Sequence, residues 1–206
     1  MRHRVNHRSS ALTSLLVPLT LASCAGPKED VVARATADSV VASASAPDTT
    51  PPASQPPKVD PNDLAASLAF DSSTNTVTFP TVVGLTPVNN VWNFNGRAKG
   101  EMTLTVPLGA RMVMPFVGYD GKVPHSFGIT ADSPTRIPSA PGAPVFPGAA
   151  TRSYETGLKA NEMDVVRFTV DKPGNYLIIC GVPGHAVNGM WVRFVVSAST
   201  KTPSVK

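Results

Sequence analysis

Apolar side chains recur at every second residue in Met102-Leu104-Val106 and again in Val166-Phe168-Val170. That period matches a β-strand, in which alternate side chains share one face, so each segment can bury one side against a core. Residues 76–79, 91–94, 102–106, 111–117, 126–130, 164–170, 176–180 and 190–196 all read as short strands separated by turn residues. Twenty-one prolines, 15 glycines and only 16 % charged residues suit strands and turns better than helices. The expectation is an all-β domain, either a sandwich or a barrel. Residues 131–160, with PSAPGAPVFPG inside them, carry no strand period and read as a long inserted loop with room for one helical turn. Loops of that length are commonly functional.

The first 23 residues read as an export signal. Arg2, Arg4 and Arg8 precede an apolar stretch from Ala11 to Ala22, shorter than the about 20 apolar residues a bilayer span needs. Leu21-Ala22-Ser23-Cys24 has the form of a lipoprotein signal, in which cleavage precedes the cysteine and the cysteine is acylated. A plain secretory signal with a cysteine near its cleavage site is the alternative. Residues 24–58 are rich in Ala, Ser, Thr, Pro and Asp and contain no aromatic residue. Such a composition buries too little apolar surface to offset its ordering entropy, which makes the segment a disordered tether. The folded domain is expected over residues 59–198, with 199–206 as a flexible tail. The location that follows is an exported protein, lipid-anchored to a membrane and facing periplasm or cell exterior.

Charge excludes one class of partner. Of 18 basic and 14 acidic residues, three arginines leave with the signal. The remainder is close to balance and has no basic cluster, so no nucleic-acid partner is expected.

Removal of the signal also takes His3 and His7, leaving His125 and His185. With Cys24 acylated, Cys180 is the sole free thiol, so no intramolecular disulfide can form. An unpaired cysteine outside the cytoplasm is open to oxidation unless something occupies it. Taken singly, a strand-end Cys is usually a buried hydrophobe, a His a hydrogen-bonded surface residue and a Met a core filler. Here Cys180, His185 and Met190 follow one another in the loop CGVPGHAVNGM, and VPHSFGI offers His125 from an earlier strand end. Two imidazoles and a thiolate with a weak thioether are the donors of a mononuclear type 1, or blue, copper site. Gly181, Pro183 and Gly184 let the chain bend between Cys180 and His185, and Asn188-Gly189 turns it back toward the last strand.

Other chemistries fit less well. Structural zinc takes four strong Cys or His ligands, and only three are present. A binuclear copper centre needs a second loop cysteine, where Gly184 stands. Cysteine catalysis lacks an orienting third group, so an enzyme is not expected. A copper-binding or copper-delivery protein remains as the alternative to electron transfer, although Met102, Met112, Met114 and Met163 are scattered rather than gathered into an open methionine-rich site.

The C-x4-H-x4-M loop, CGVPGHAVNGMW, VPHSFGI and WNFNG followed by GEMTLTVPLGA together resemble the sulfocyanins, a branch of the cupredoxin superfamily. The resemblance covers residues 90–196. It implies a Greek-key β-sandwich with one copper held at one end by His125, Cys180, His185 and Met190, acting as a monomer in single-electron transfer. It also implies a respiratory chain, with a cytochrome or a terminal oxidase or reductase as redox partner. Ser126 stands where cupredoxins commonly tie the two ligand loops together, often with an asparagine. A lipid-bearing cysteine in place of a transmembrane anchor departs from archaeal sulfocyanins.

Overall fold

A computed structural model of the protein describes residues 58–119, 121–132, 137, 139 and 142–206. The expected export signal, Cys24 and nearly all of the expected tether lie outside the described residues. Ten strands follow in order: β1 (Ala69–Asp71), β2 (Thr76–Thr78), β3 (Thr81–Val83), β4 (Thr103–Pro107), β5 (Arg111–Gly118), β6 (Gly128–Ala131), β7 (Met163–Thr169), β8 (Gly174–Ile179), β9 (Trp191–Ser197) and β10 (Ser204–Val205). They form two five-stranded sheets. In one, β5 pairs antiparallel with β7 and, on its other edge, parallel with β2 and then β3, while β1 closes against β2. The other runs β10-β4-β9-β8-β6. This is the expected Greek-key β-sandwich. Among the described residues no helix is long and apolar enough to cross a membrane.

Alternation along the strands builds the core. Leu104 and Val106 of β4, Met112, Met114 and Phe116 of β5, Val166 and Phe168 of β7, and Val192, Phe194 and Val196 of β9 all enter one apolar cluster between the sheets. On β8 the parity decides the chemistry. Ile178 and Cys180 face that core, whereas Leu177 and Ile179 join Ala186 in a separate cluster on the outer face, with Ile137 and Trp191 packed against it.

Three expectations are corrected. Residues 91–94 are not a strand. Asn89, Asn90 and Val91 have φ near +50° to +64°, a region that few side chains adopt and that breaks any extended run. Phe94 forms only isolated bridges, to Val83 and Arg97. Residues 199–206 are not a free tail. β10 pairs with β4, placing Ser204 opposite Thr105 and Val205 opposite Leu104, and Lys206 exchanges two backbone hydrogen bonds with Thr103 at 2.9 and 3.1 Å. β4 would otherwise be a sheet edge with unpaired amides, and the terminal residues cover it. Third, the described part of the 131–160 excursion contains turns and no helix. Its second half is anchored along β6, with Phe146, Ala149 and Leu158 in the main core.

Phe194 is fully buried at the centre of β9, with the Phe168 and Tyr176 rings each 6.4 Å away. Phe194→Ala should lower the unfolding free energy by about 3–5 kcal/mol, through lost transfer energy and the cavity left behind. Denaturant titration checks this; a loss below about 1 kcal/mol would contradict the packing described.

Candidate metal centre

Antiparallel pairing of β6 with β8 sets Gly128 opposite Ile179. Continued outward from that pair, the register brings the His125-Ser126 end of one strand beside the Cys180-Gly181 end of the other. His125, Cys180 and His185 each offer one donor atom, and these atoms lie within 4.8 Å of one another. Cys180 Sγ is 3.4 Å from His185 Nδ1, and the two imidazole rings are 5.0 Å apart at 60°. All three side chains are buried, but unequally: Cys180 is 0 % exposed, His125 1 % and His185 7 %. His185 is the donor nearest solvent.

The loop between Cys180 and Met190 is held by its own backbone. His185 N–H donates to the Val182 carbonyl at 3.1 Å, Met190 N–H to the His185 carbonyl at 3.1 Å, and Cys180 N–H to the Met190 carbonyl at 3.2 Å. Met190 is fully buried in the main core, and its backbone is thus bonded to both neighbouring site residues. Gly184 and Gly189 take φ of +86° and +100°, which is where the sequence required the chain to turn. Asn188 folds its side-chain amide back to the Gly184 carbonyl at 2.7 Å.

Ser126 ties the loops as expected, and reaches further. Its Oγ accepts the Gly181 N–H at 3.0 Å and its hydroxyl donates to the Tyr154 carbonyl at 2.5 Å. The sulfur of Cys180 lies 3.8 Å from the same oxygen. Burial pushes the Cys180 thiol up, opposed by hydrogen bonds from the Ser126 and Val182 backbone. These donors stabilise negative charge on a sulfur that is otherwise dry. Pro183, next in the loop, has no N–H to add.

Two residues at the site were not singled out in the sequence. Trp92 stacks on His185, with ring centroids 4.4 Å apart and planes 23° from parallel. Its segment is held to the loop by Asn89, whose side-chain amide donates to the Asn188 carbonyl at 3.0 Å. Tyr154, from the excursion, lies against Gly128 and Gly181. The available signal for Tyr154 was the glycine at a strand end, which marks close approach of another group. Nothing local marks Trp92 as the partner of a residue so distant in sequence.

The donor set fits copper. A buried thiolate is a soft ligand for Cu(I), neutral imidazoles suit both Cu(I) and Cu(II), and three donors converging without a fourth Cys or His among the described residues argue against structural zinc. Held at the ends of β6, β8 and β9, neighbours in one sheet, such donors can keep their places when charge changes by one electron.

The sulfocyanin (SoxE) domain model matches residues 64–205. The chain is 29 % identical over 140 residues to the sulfocyanin of Sulfolobus acidocaldarius, covering 64 % of this chain and 69 % of that protein. It is 30 % identical over 105 residues to a rusticyanin of Acidithiobacillus ferrooxidans, covering 50 % of this chain and 54 % of that one, so the match spans about half the relative's length. Among solved structures, reduced rusticyanin superposes with a TM-score of 0.44 at 22 % identity, covering 66 % of this chain and 94 % of the other. Auracyanin B gives 0.43 at 19 %, covering 65 % and 96 %.

Ser126→Ala should strand the Gly181 N–H and the Tyr154 carbonyl, at a cost of about 1–3 kcal/mol for each buried group left unpaired. Urea denaturation of the metal-free protein measures this, and an unchanged midpoint would show that the hydroxyl does not hold the loops.

Proposed function

The chain belongs to the sulfocyanin family, whose domain spans residues 64–205, and on that premise we propose a membrane-tethered protein that passes single electrons along a respiratory chain. Its cofactor is one type 1 copper, and its work is that of a blue-copper cupredoxin, electron transfer rather than enzymatic turnover. The observation that carries the proposal is the convergence of His125, Cys180 and His185 donors within 4.8 Å inside a rigid β-sandwich. Bound there, copper supplies a Cu(II)/Cu(I) couple that takes up and releases one electron.

This chain's residues do the rest. Cys180, His125 and His185 would hold the ion as thiolate and neutral imidazoles, with the Met190 thioether as a weaker fourth ligand. The Trp92 ring, 4.4 Å from His185, restrains that imidazole against tilting. Low rearrangement between oxidation states permits fast exchange. His185, the least buried donor, stands beside exposed Pro183 and beside Val187, which is 52 % exposed. An apolar rim of that kind suits the small, transient interfaces of redox encounters, with a cytochrome or a terminal oxidase or reductase as partner. Monomeric action completes the proposal, and a lipid on Cys24, facing periplasm or cell exterior, rests on the sequence of the expected export signal.

Copper delivery is the competing reading. An acceptor protein needs access to the donors, and Cys180 and His125 are 0 % and 1 % exposed. Their burial favours retention.

Copper-loaded protein should show intense visible absorption and an EPR signal with narrow copper hyperfine splitting, both lost in Cys180→Ser. A colourless protein, or a spectrum indifferent to the substitution, would sink the ligand assignment. Membrane fractionation of the full chain tests the anchor. The parent should sediment with membranes and Cys24→Ala should stay soluble; equal distribution would remove the lipid from the account.

A further inference from the structure

The role of the 131–160 excursion follows from one of its side chains. Tyr154 lies across the paired ends of β6 and β8. A Cβ built on Gly128 would stand 2.7 Å from a ring carbon of Tyr154, and one built on Gly181 would collide with the same ring and stand 2.5 Å from the Tyr154 carbonyl oxygen. Two strands therefore present bare backbone to one ring, and that ring lies beside the Cys180-Gly181 peptide.

The ring is clamped in this slot. Ser126 donates to its carbonyl at 2.5 Å. On one side, Thr151 N–H donates to the Phe127 carbonyl at 2.9 Å; on the other, Leu158 and His125 exchange backbone hydrogen bonds at 2.6 and 3.0 Å. Gly157 lets this return pass close, since a Cβ there would meet Pro124 and the His125 amide at 2.7 and 2.8 Å.

The phenol itself is not what the site uses. Its oxygen is buried and has no hydrogen-bond partner among the described residues, an arrangement that costs about 1–3 kcal/mol. Burial first, then the negative charge of a Cys180 thiolate and of Glu155, push its pKa upward, so it stays protonated. The side chain as a whole is half-buried. One part of it meets solvent and the other covers the strand ends beside the sulfur.

We infer that Tyr154 is a shield, a positioning residue of the excursion whose ring keeps water from the Cys180 sulfur and thereby raises the reduction potential of the centre. A dry surround disfavours the more highly charged oxidised site relative to the reduced one. Shielding of the thiol holds whichever guest the site takes, whereas the effect on potential rests on the blue-copper function proposed above.

The test uses the full chain with Cys24→Ala, so that Cys180 is the only thiol. In metal-free protein, the rate of Cys180 alkylation by a small neutral maleimide should rise about tenfold or more in Tyr154→Ala, because thiol reactivity follows access. Tyr154→Phe, which keeps the ring and removes the unpartnered hydroxyl, should react at the parental rate. Phe194→Ala, destabilising but remote, controls for general loosening. Copper-loaded Tyr154→Ala should have a lower potential than the parent, with Tyr154→Phe unchanged. Parental alkylation in Tyr154→Ala, or equal acceleration in Phe194→Ala, would overturn the shield. If Tyr154→Ala does not fold, Tyr154→Leu carries the same test, with acceleration expected and a parental rate refuting. Loss of thiol protection in a protein that never turns blue would support the shield and refute the copper reading; a blue protein with an indifferent Tyr154→Ala would do the reverse.

Discussion

The antiparallel register that sets Gly128 opposite Ile179 is the constraint on which the metal centre depends. Side chains alternate across a strand, so a slip of one residue would turn Cys180 out of the core and carry His125 away from it. The register is held because both faces of β8 are committed: Ile178 and Cys180 pack between the sheets, and Leu177 and Ile179 pack outside with Ala186. Pairing of β8 with β9, which sets Ile179 opposite Trp191, then places the start of β9 beside Cys180. The loop joining these strands has both ends fixed by the sheet, and His185 is carried between them.

A site in this place is dry, and dryness has a cost. Burial disfavours a charged thiolate and pushes the Cys180 thiol up, so a lone cysteine here would remain an inert hydrophobe. Backbone donors from Ser126 and Val182 act in the opposite direction. A cation bound among these donors would complete the balance, since negative charge on sulfur is then paired rather than buried alone. Ser126 is economical here: one hydroxyl joins the loop of His125, the loop of Cys180 and the excursion at Tyr154.

Much of this was legible locally. Strands at 76–79, 102–106, 111–117, 164–170, 176–180 and 190–196 show themselves by alternation or by β-branched and aromatic residues, and the structure has a strand at each. The donors His125, Cys180 and His185 were visible because a single thiol and two histidines remained to be explained, and the structure gathers those three. The turn at Asn188-Gly189 was visible because its residue types permit few other conformations. Three short elements gave no such signal. β1 and β3 are only three residues long, too short to display a period. β10, at two residues, exists because β4 has an edge to cover. Residues 91–94 look apolar enough for a strand, yet the left-handed backbone of Asn89 to Val91 turns Trp92 toward His185 instead.

What the amino-acid sequence determined by itself is therefore chemical and local: strand period, turn positions and the inventory of donors. What only the tertiary structure decided is which distant groups meet. Trp92 stacks on His185, Tyr154 fills the slot over Gly128 and Gly181, and Ser204 and Val205 close the edge of β4. The physical reason is that alternation, turn preference and donor chemistry act between near neighbours in the chain. A stacking contact, a glycine slot or an edge pairing is specified by the packing of two sheets, and has no period to read.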